Sequence, residues 1–203
     1  MALFIVITVL AGYLLGNLNG AVCVSHLLGD DVREHGSGNA GLTNFIRSYG
    51  AGRALAVIGI DAGKAVVTCV LGGLLLRDTL DFQTGAVIGG TGVMLGHVFP
   101  VFLGFRGGKG ILSGLFIALV ADWRIALLIL AVFAIAYFAT QYVSLGSVLS
   151  AVAFGAGFAV LYWGNWIVVG CSAFMSVLAV YMHRQNIDRL FHGQENKTNL
   201  FAK

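Results

Sequence analysis

The chain has 203 residues, of which 58% are hydrophobic and only 10% charged. Soluble domains carry about 25% charged residues, so too little polar surface is present to face water all round, and a soluble fold is excluded. The net charge of +3, without interleaved aromatic and basic residues, also argues against a nucleic-acid partner.

No Lys or Arg precedes Arg33. The N-terminus therefore lacks the basic region of a cleavable signal and is expected to be the first membrane helix. Apolar stretches predict helices at about 2–28, 53–76, 83–103, 110–121, 124–140, 143–162 and 165–182. The expected fold is all-α, a polytopic membrane bundle of about seven spans in one domain covering residues 1–203. The fourth helix is short and must be a half-span, a re-entrant piece or a span that borrows from the preceding loop.

With the N-terminus outside, the inner loops hold nine cations: Arg33, Arg47, Arg53, Arg106, Lys109, Arg184, Arg189, Lys197 and Lys203. The outer loops hold two, Arg77 and Arg124. That bias predicts a cytoplasmic C-terminus. It also puts the three most polar segments, 36–50, 104–110 and 183–203, on one side, as parts of one site. Gly59/Gly63, Gly85/Gly89, Gly92/Gly96 and Gly110/Gly114 have the small-xxx-small spacing of close membrane-helix packing. Cys23, Cys69 and Cys171 lie in apolar stretches without CxxC spacing and read as small core residues rather than a disulfide or zinc framework.

The first polar segment runs His35-Gly36-Ser37-Gly38-Asn39-Ala40-Gly41-Leu42-Thr43-Asn44-Phe45-Ile46-Arg47. Gly and Asn tolerate positive φ, so successive backbone N–H groups are expected to form an anion nest. Ser37, Thr43 and Asn44 add side-chain donors, Arg47 adds a guanidinium fork suited to phosphate, and a helix starting near Thr43 would favour an anion at its N-terminus. The second segment holds His97 and Pro100, then Arg106-Gly107-Gly108-Lys109-Gly110, a flexible cationic loop opening a helix and a second candidate anion site. In the third, His183, Asn186 and Arg189 share a helical face, and Glu195 is positioned to pair with a cation. Asp61 and Lys64 lie inside the second span, three residues apart, as an expected ion pair supporting the site. His26/Asp31 and His183/Asp188 fit the H-x4-D spacing of soluble acyltransferase dyads, but two such hits among five histidines make the pattern unspecific.

Together, GSGNAGLTNFIRSYG (36–50), GHVFPVFLGFRGGKG (96–110) and HRQNIDRLFHGQENK (183–197) closely resemble the three motifs of the PlsY family of bacterial acyl-phosphate:glycerol-3-phosphate acyltransferases. The Asp61/Lys64 spacing and Tyr142-Val143-Ser144-Leu145-Gly146-Ser147 also look like family features, so the resemblance spans the chain. Departures are Ala40 for the usual Pro, Leu42 for Ala, Ile111-Leu112-Ser113 for Val-Ala-Thr, Gln141 for Arg, and Asp188 for a basic residue; the last two weaken local positive charge.

The resemblance implies transfer of a fatty acyl group from acyl phosphate to the 1-hydroxyl of glycerol 3-phosphate, giving lysophosphatidate and phosphate, the first acylation of phospholipid synthesis. It implies an inner-membrane enzyme with its site facing the cytoplasm, membrane lipid around it, an acyl-phosphate-producing enzyme as partner, and no cofactor or metal. Ser37, Arg47, His183 and Asn186 would be catalytic. Gly38, Asn39, Thr43, Asn44, His97, Arg106, Gly107, Gly108, Lys109, Gly110 and Arg189 would bind substrate, and Asp61, Lys64 and Glu195 would support them. One phosphate would sit on the first loop and one on the second, with the assignment of substrates open. The proton would pass to the substrate's own phosphate or to His183, with His97 a second candidate acceptor. Two rivals fit less well. A transporter predicts midplane polar groups and inverted repeats, and a CDP-alcohol phosphotransferase predicts several Asp on one helix; neither pattern is present.

Overall fold

The structure, a computed structural model, describes residues 1–198. Lys203, counted among the inner cations, lies outside the described residues. All regular structure among the described residues is helical: α1 Ala2–Gly16, α2 Gly20–Leu27, α3 Leu42–Tyr49, α4 Ala54–Leu76, α5 Phe82–Val98, α6 Ile111–Ala121, α7 Trp123–Thr140, α8 Val143–Leu161, α9 Trp166–Met182 and α10 Arg184–Phe191.

Five helical segments are long and apolar enough to cross a membrane: Ala2–Leu27, Ala51–Leu76, Phe82–Leu103, Trp123–Thr140 and Val143–Leu161. The α9–α10 pair, bent by 55°, makes a sixth if it counts as one span. Helix α6 has 11 residues, about 16 Å of rise against a hydrocarbon layer of roughly 30 Å. The multi-pass architecture is as expected, but the count of seven needs both the bent pair and this half-length helix. Chain contacts divide the protein into two compact units, Met1–Ala121 and Asp122 onward.

The predicted first helix differs in one respect: it is broken. Asn17, Leu18 and Asn19 interrupt it, and Asn19 restarts α2 by accepting a bond from Val22 N–H at 3.0 Å. In the first unit α5 lies against α1, α4 and α6. Glycine makes the closest approach: a Cβ on Gly96 would overlap the Tyr13 carbonyl oxygen, and one on Gly85 the Gly72 carbonyl oxygen. Helices in lipid associate by such van der Waals contact because apolar burial offers no gain there. The Gly59/Gly63 pair does not pack as expected, since a Cβ at either would meet nothing within 4 Å. Among the described residues, this face of α4 has open space beside both glycines. Gly114 has only Met94 Cε near, at 3.8 Å.

In the second unit α8 packs against α7 and α9. Ser150 Oγ donates to Ile129 O at 2.9 Å, joining α8 to α7, and Ser176 Oγ to Ala151 O at 2.7 Å, joining α9 to α8. Asp122 caps α7 through Arg124 N–H, and Asn165 caps α9 through Val168 N–H. Among the described residues no disulfide joins any two of the three cysteines.

Candidate active site

The first polar loop is shaped by Asn44. Its side chain is buried; Oδ1 accepts from Ser37 N–H at 2.9 Å, and Nδ2 donates to Val32 O (3.0 Å), His35 O (3.0 Å) and Asn39 O (3.1 Å). Gly38 N–H goes to His35 O and Gly41 N–H to Asn39 O, both at 2.9 Å. The expected anion nest is therefore not formed by these amides. A single buried amide side chain takes up Ser37 N–H and the loop's carbonyls as well. What the loop presents outward is Ser37, Gly38 and Arg47, all exposed, with Asn39 and Thr43 half-buried. Phe45 anchors α3 in a core of Ala21, Val22, Val24, Val32, Ala40 and Val57.

Two acidic residues fasten the loop's entry. Asp31 accepts from Arg33 Nη2 at 2.6 Å, while Arg33 Nη1 reaches Leu103 O at 3.0 Å, tying the first polar segment to the second. The Arg33 guanidinium holds the Asp31 carboxyl well below the usual carboxylate range, against a smaller desolvation effect. Asp30 binds His35 Nε2 at 2.8 Å and the Tyr49 hydroxyl at 2.9 Å. Its carboxyl is lowered chiefly by the His35 hydrogen bond, and His35 is raised by the same bond. Desolvation, helped by the Asp30 contact, pushes the Tyr49 hydroxyl up to about 12.

The second loop folds back on its own helix. Gly108 N–H donates to His97 O at 3.1 Å, and a Cβ on Gly107 would overlap that same oxygen. A Cβ on Gly108 would overlap His97 Nε2 and lie 2.7 Å from Ala40 O. Ala40 O is held by Asn19 Nδ2 at 2.9 Å. The first and second polar segments thus meet backbone to backbone at Ala40 and Gly108, a contact only glycine permits. Arg106 is exposed, Lys109 half-buried, and Gly110, at φ +81°, turns the chain into α6.

Asp61 and Lys64 are ion-paired at 2.8 Å and almost fully buried. Lys64 Nζ also reaches Leu18 O (2.6 Å), Gly16 O (3.2 Å) and His97 Nδ1 (2.8 Å), and Asp61 Oδ1 accepts from Gly20 N–H at 3.1 Å. The pair thereby satisfies the backbone groups that the α1–α2 break releases. Reading the sequence missed Asn17 and Asn19. Their signal was present, as two asparagines between Gly16 and Gly20 in an apolar span, where an unpartnered amide costs several kcal/mol.

The third segment belongs to the second unit. His183, buried at the α9–α10 bend, has Nδ1 2.8 Å from Ala179 O, a bond in which Nδ1–H donates to the carbonyl. Asn186 Nδ2 and Arg189 Nε donate to the two oxygens of Glu195 at 2.8 and 2.7 Å. Burial raises the Glu195 carboxyl, but these donors outweigh it and hold it below its ordinary value. Of the H-x4-D pairs, His26 lies 3.4 Å from an Asp31 already bound to Arg33, and Asp188 pairs with His192. Among the described residues no three His, Cys, Asp or Glu side chains cluster as metal ligands.

The family model described as Glycerol-3-phosphate acyltransferase matches residues 6–193. The chain belongs to this family. Its relatives include the glycerol-3-phosphate acyltransferases of Thermoanaerobacter sp. (strain X514), 36% identical over 96% of both chains, and of Syntrophotalea carbinolica, 40% identical over 94% of this chain and 96% of that one. Among solved structures, PlsY (YgiH), an integral membrane glycerol 3-phosphate acyltransferase, superposes in its glycerol 3-phosphate form with a TM-score of 0.87 at 28% identity, covering 98% of this chain and 99% of the other. The lysophosphatidic acid form of PlsY gives 0.83 at 28% identity, covering 96% and 95%. The family match spans the first two polar segments and the start of the third, and reaches into both compact units.

Proposed function

We propose that this protein transfers a fatty acyl group from acyl phosphate to the 1-hydroxyl of glycerol 3-phosphate. As a member of the glycerol-3-phosphate acyltransferase family it is an acyltransferase that acylates glycerol 3-phosphate in phospholipid synthesis, and it is a multi-pass membrane protein. The observation that carries the finer reading is the junction of the two Gly-rich cationic segments at Ala40 and Gly108, which brings two basic loops together where two phosphates must be handled.

In the proposed reaction the glycerol 1-oxygen attacks the acyl carbonyl carbon, the carbonyl–O–phosphate bond breaks, and inorganic phosphate leaves with the electron pair. The donor is already activated, so positioning and charge stabilisation supply most of the catalysis. Ser37 and Arg47 bind one phosphate; Lys109 and its flanking glycines bind the other. His183 or the substrate's own phosphate takes the hydroxyl proton, and Asn186, fixed by Glu195, orients the reacting group. The bias of Lys and Arg supports an inner-membrane protein with cytoplasmic loops, and an enzyme that makes acyl phosphate supplies the donor.

A reconstituted assay offering acyl phosphate, acyl-CoA and acyl-carrier protein in turn tests the donor. Phosphate release and lysophosphatidate formation with acyl phosphate are expected; turnover with acyl-CoA alone overturns the reading. Arg47→Ala is expected to lose roughly 100-fold in kcat/KM, as the loss of a charged phosphate contact predicts. Full activity of that variant removes Arg47 from the site.

A further inference from the structure

His97 is 4% exposed, yet only one of its ring nitrogens is engaged. Nδ1 stands 2.8 Å from Lys64 Nζ and 3.6 Å from Asp61 Oδ1. Nε2 has no hydrogen-bond partner among the described residues and lies against Gly108, where a Cβ would overlap it. This nitrogen borders the second cationic loop, where a ligand can reach it.

The ring's tautomer follows from its neighbour. Lys64 Nζ shares its three N–H bonds among Gly16 O, Leu18 O, Asp61 Oδ1 and His97 Nδ1, and an ammonium has no lone pair with which to accept from an Nδ1–H. Lysine is the stronger base than histidine by about four pKa units in water, so the proton between them belongs to Lys64. The lone pair then lies on Nδ1, and the ring's single N–H lies on Nε2. This excludes His97 as the proton acceptor, because its accessible nitrogen already bears a proton.

We propose that His97 is a neutral hydrogen-bond donor, through Nε2–H, to a substrate phosphate oxygen held at the Gly107–Gly108–Lys109 loop, and that Lys64 is a positioning residue that fixes this tautomer. The proposal rests on the acyl-transfer reading of the same site and adds a direction to one of its bonds. It gives the buried Asp61–Lys64 pair a second task beside closing the helix break. It also gives Gly108 a chemical reason, since any side chain there would cover the N–H.

The test uses the full chain in detergent micelles, labelled with 15N-histidine, with His97 assigned through the His97→Gln variant. The Nε2–H tautomer is expected in the wild type near neutral pH, and a mixture of tautomers in Lys64→Met. An imidazolium or an Nδ1–H tautomer in the wild type overturns the proposal. Titration with glycerol 3-phosphate, and separately with inorganic phosphate, is expected to move the Nε2–H proton resonance. An unmoved resonance at concentrations that saturate turnover overturns it. In kinetics, His97→Gln keeps an amide N–H near Nε2 and stays within about 10-fold of wild-type KM, whereas His97→Leu raises KM roughly 10- to 100-fold with the pH dependence of kcat unchanged. Unchanged KM in a folded His97→Leu overturns the donor role. If His97→Leu does not fold, His97→Asn keeps a carbonyl oxygen for Lys64 but is too short to present an N–H at the position of Nε2, and the same rise in KM is expected. Absence of acyl transfer from every donor, with tautomer and phosphate shift intact, would sink the acyl-transfer reading and leave the phosphate-donor assignment standing.

Discussion

Each unit contains a helix interrupted by a polar residue, and the two interruptions are held in different ways. At the α1–α2 break, the carbonyls of Gly16 and Leu18 and the N–H of Gly20 are satisfied by an ion pair whose side chains are 1% and 2% exposed. At the α9–α10 bend, His183 returns to Ala179 O, and Glu195 joins Asn186 to Arg189 with the arginine side chain 34% exposed. The first break lies inside an apolar span, where no water can replace a lost partner, so charges are needed. The second follows the last apolar helix, where solvent shares the work and neutral bonds with one ion pair suffice. Depth sets how strongly a helix break must be tied.

The largest expected effect is at the deep network. Lys64→Met or Asp61→Leu leaves one charge buried and unpaired, and each is expected to destabilise by about 3–5 kcal/mol, read as a lower thermal midpoint in micelles. The double variant should lose less than the sum of the two. Strict additivity would mean that the pair is not one unit. Next is Asn19→Leu, which removes the α2 cap and the bond to Ala40 O together, at about 1–3 kcal/mol. Its KM should rise as well, because Ala40 is where the two polar loops meet.

At the shallow bend, Glu195→Gln is expected to lose about 1–2 kcal/mol near neutral pH. Glu195 has its carboxyl lowered in the fold, so its contribution is present above its ordinary value of 4.5 and vanishes as pH falls through the lower folded value. The wild type and the variant should therefore converge in acid; a gap that persists there contradicts the ion-pair account.

The smallest effect belongs to the exposed Asp30–His35 pair. His35 is raised in the fold and Asp30 lowered, so the pair contributes between the ordinary carboxylate and imidazole values and fades as pH rises through the raised His35 value. His35→Gln should differ from the wild type more at about pH 6 than at about pH 8.5 in the protease resistance of the first loop. An equal difference at both would show that the ring matters only for packing against Tyr49.

Most of the helices were legible as apolar runs. Predicted bounds for the later helices lie within one or two residues of α6 to α9, because each run ends at a strong signal such as Asp122, Gln141 or Asn165. The first helix was read as continuous because its hydropathy, averaged over many residues, hides two asparagines. Asn44 was legible as a polar group near the site, but not as the centre of the loop. That role depends on Val32, His35 and Asn39 turning their carbonyls toward it.

The sequence by itself determined a membrane protein with Gly-rich cationic loops, because composition and helical periodicity are local and additive along the chain. Three motifs in order also carried the family resemblance. Only the tertiary structure decided what the polar groups do. Lys64 meets Gly16, Leu18 and His97 across separations of 48, 46 and 33 residues. Hydrogen-bond direction and tautomer are set by such distant partners, so they exist only once the helices have packed.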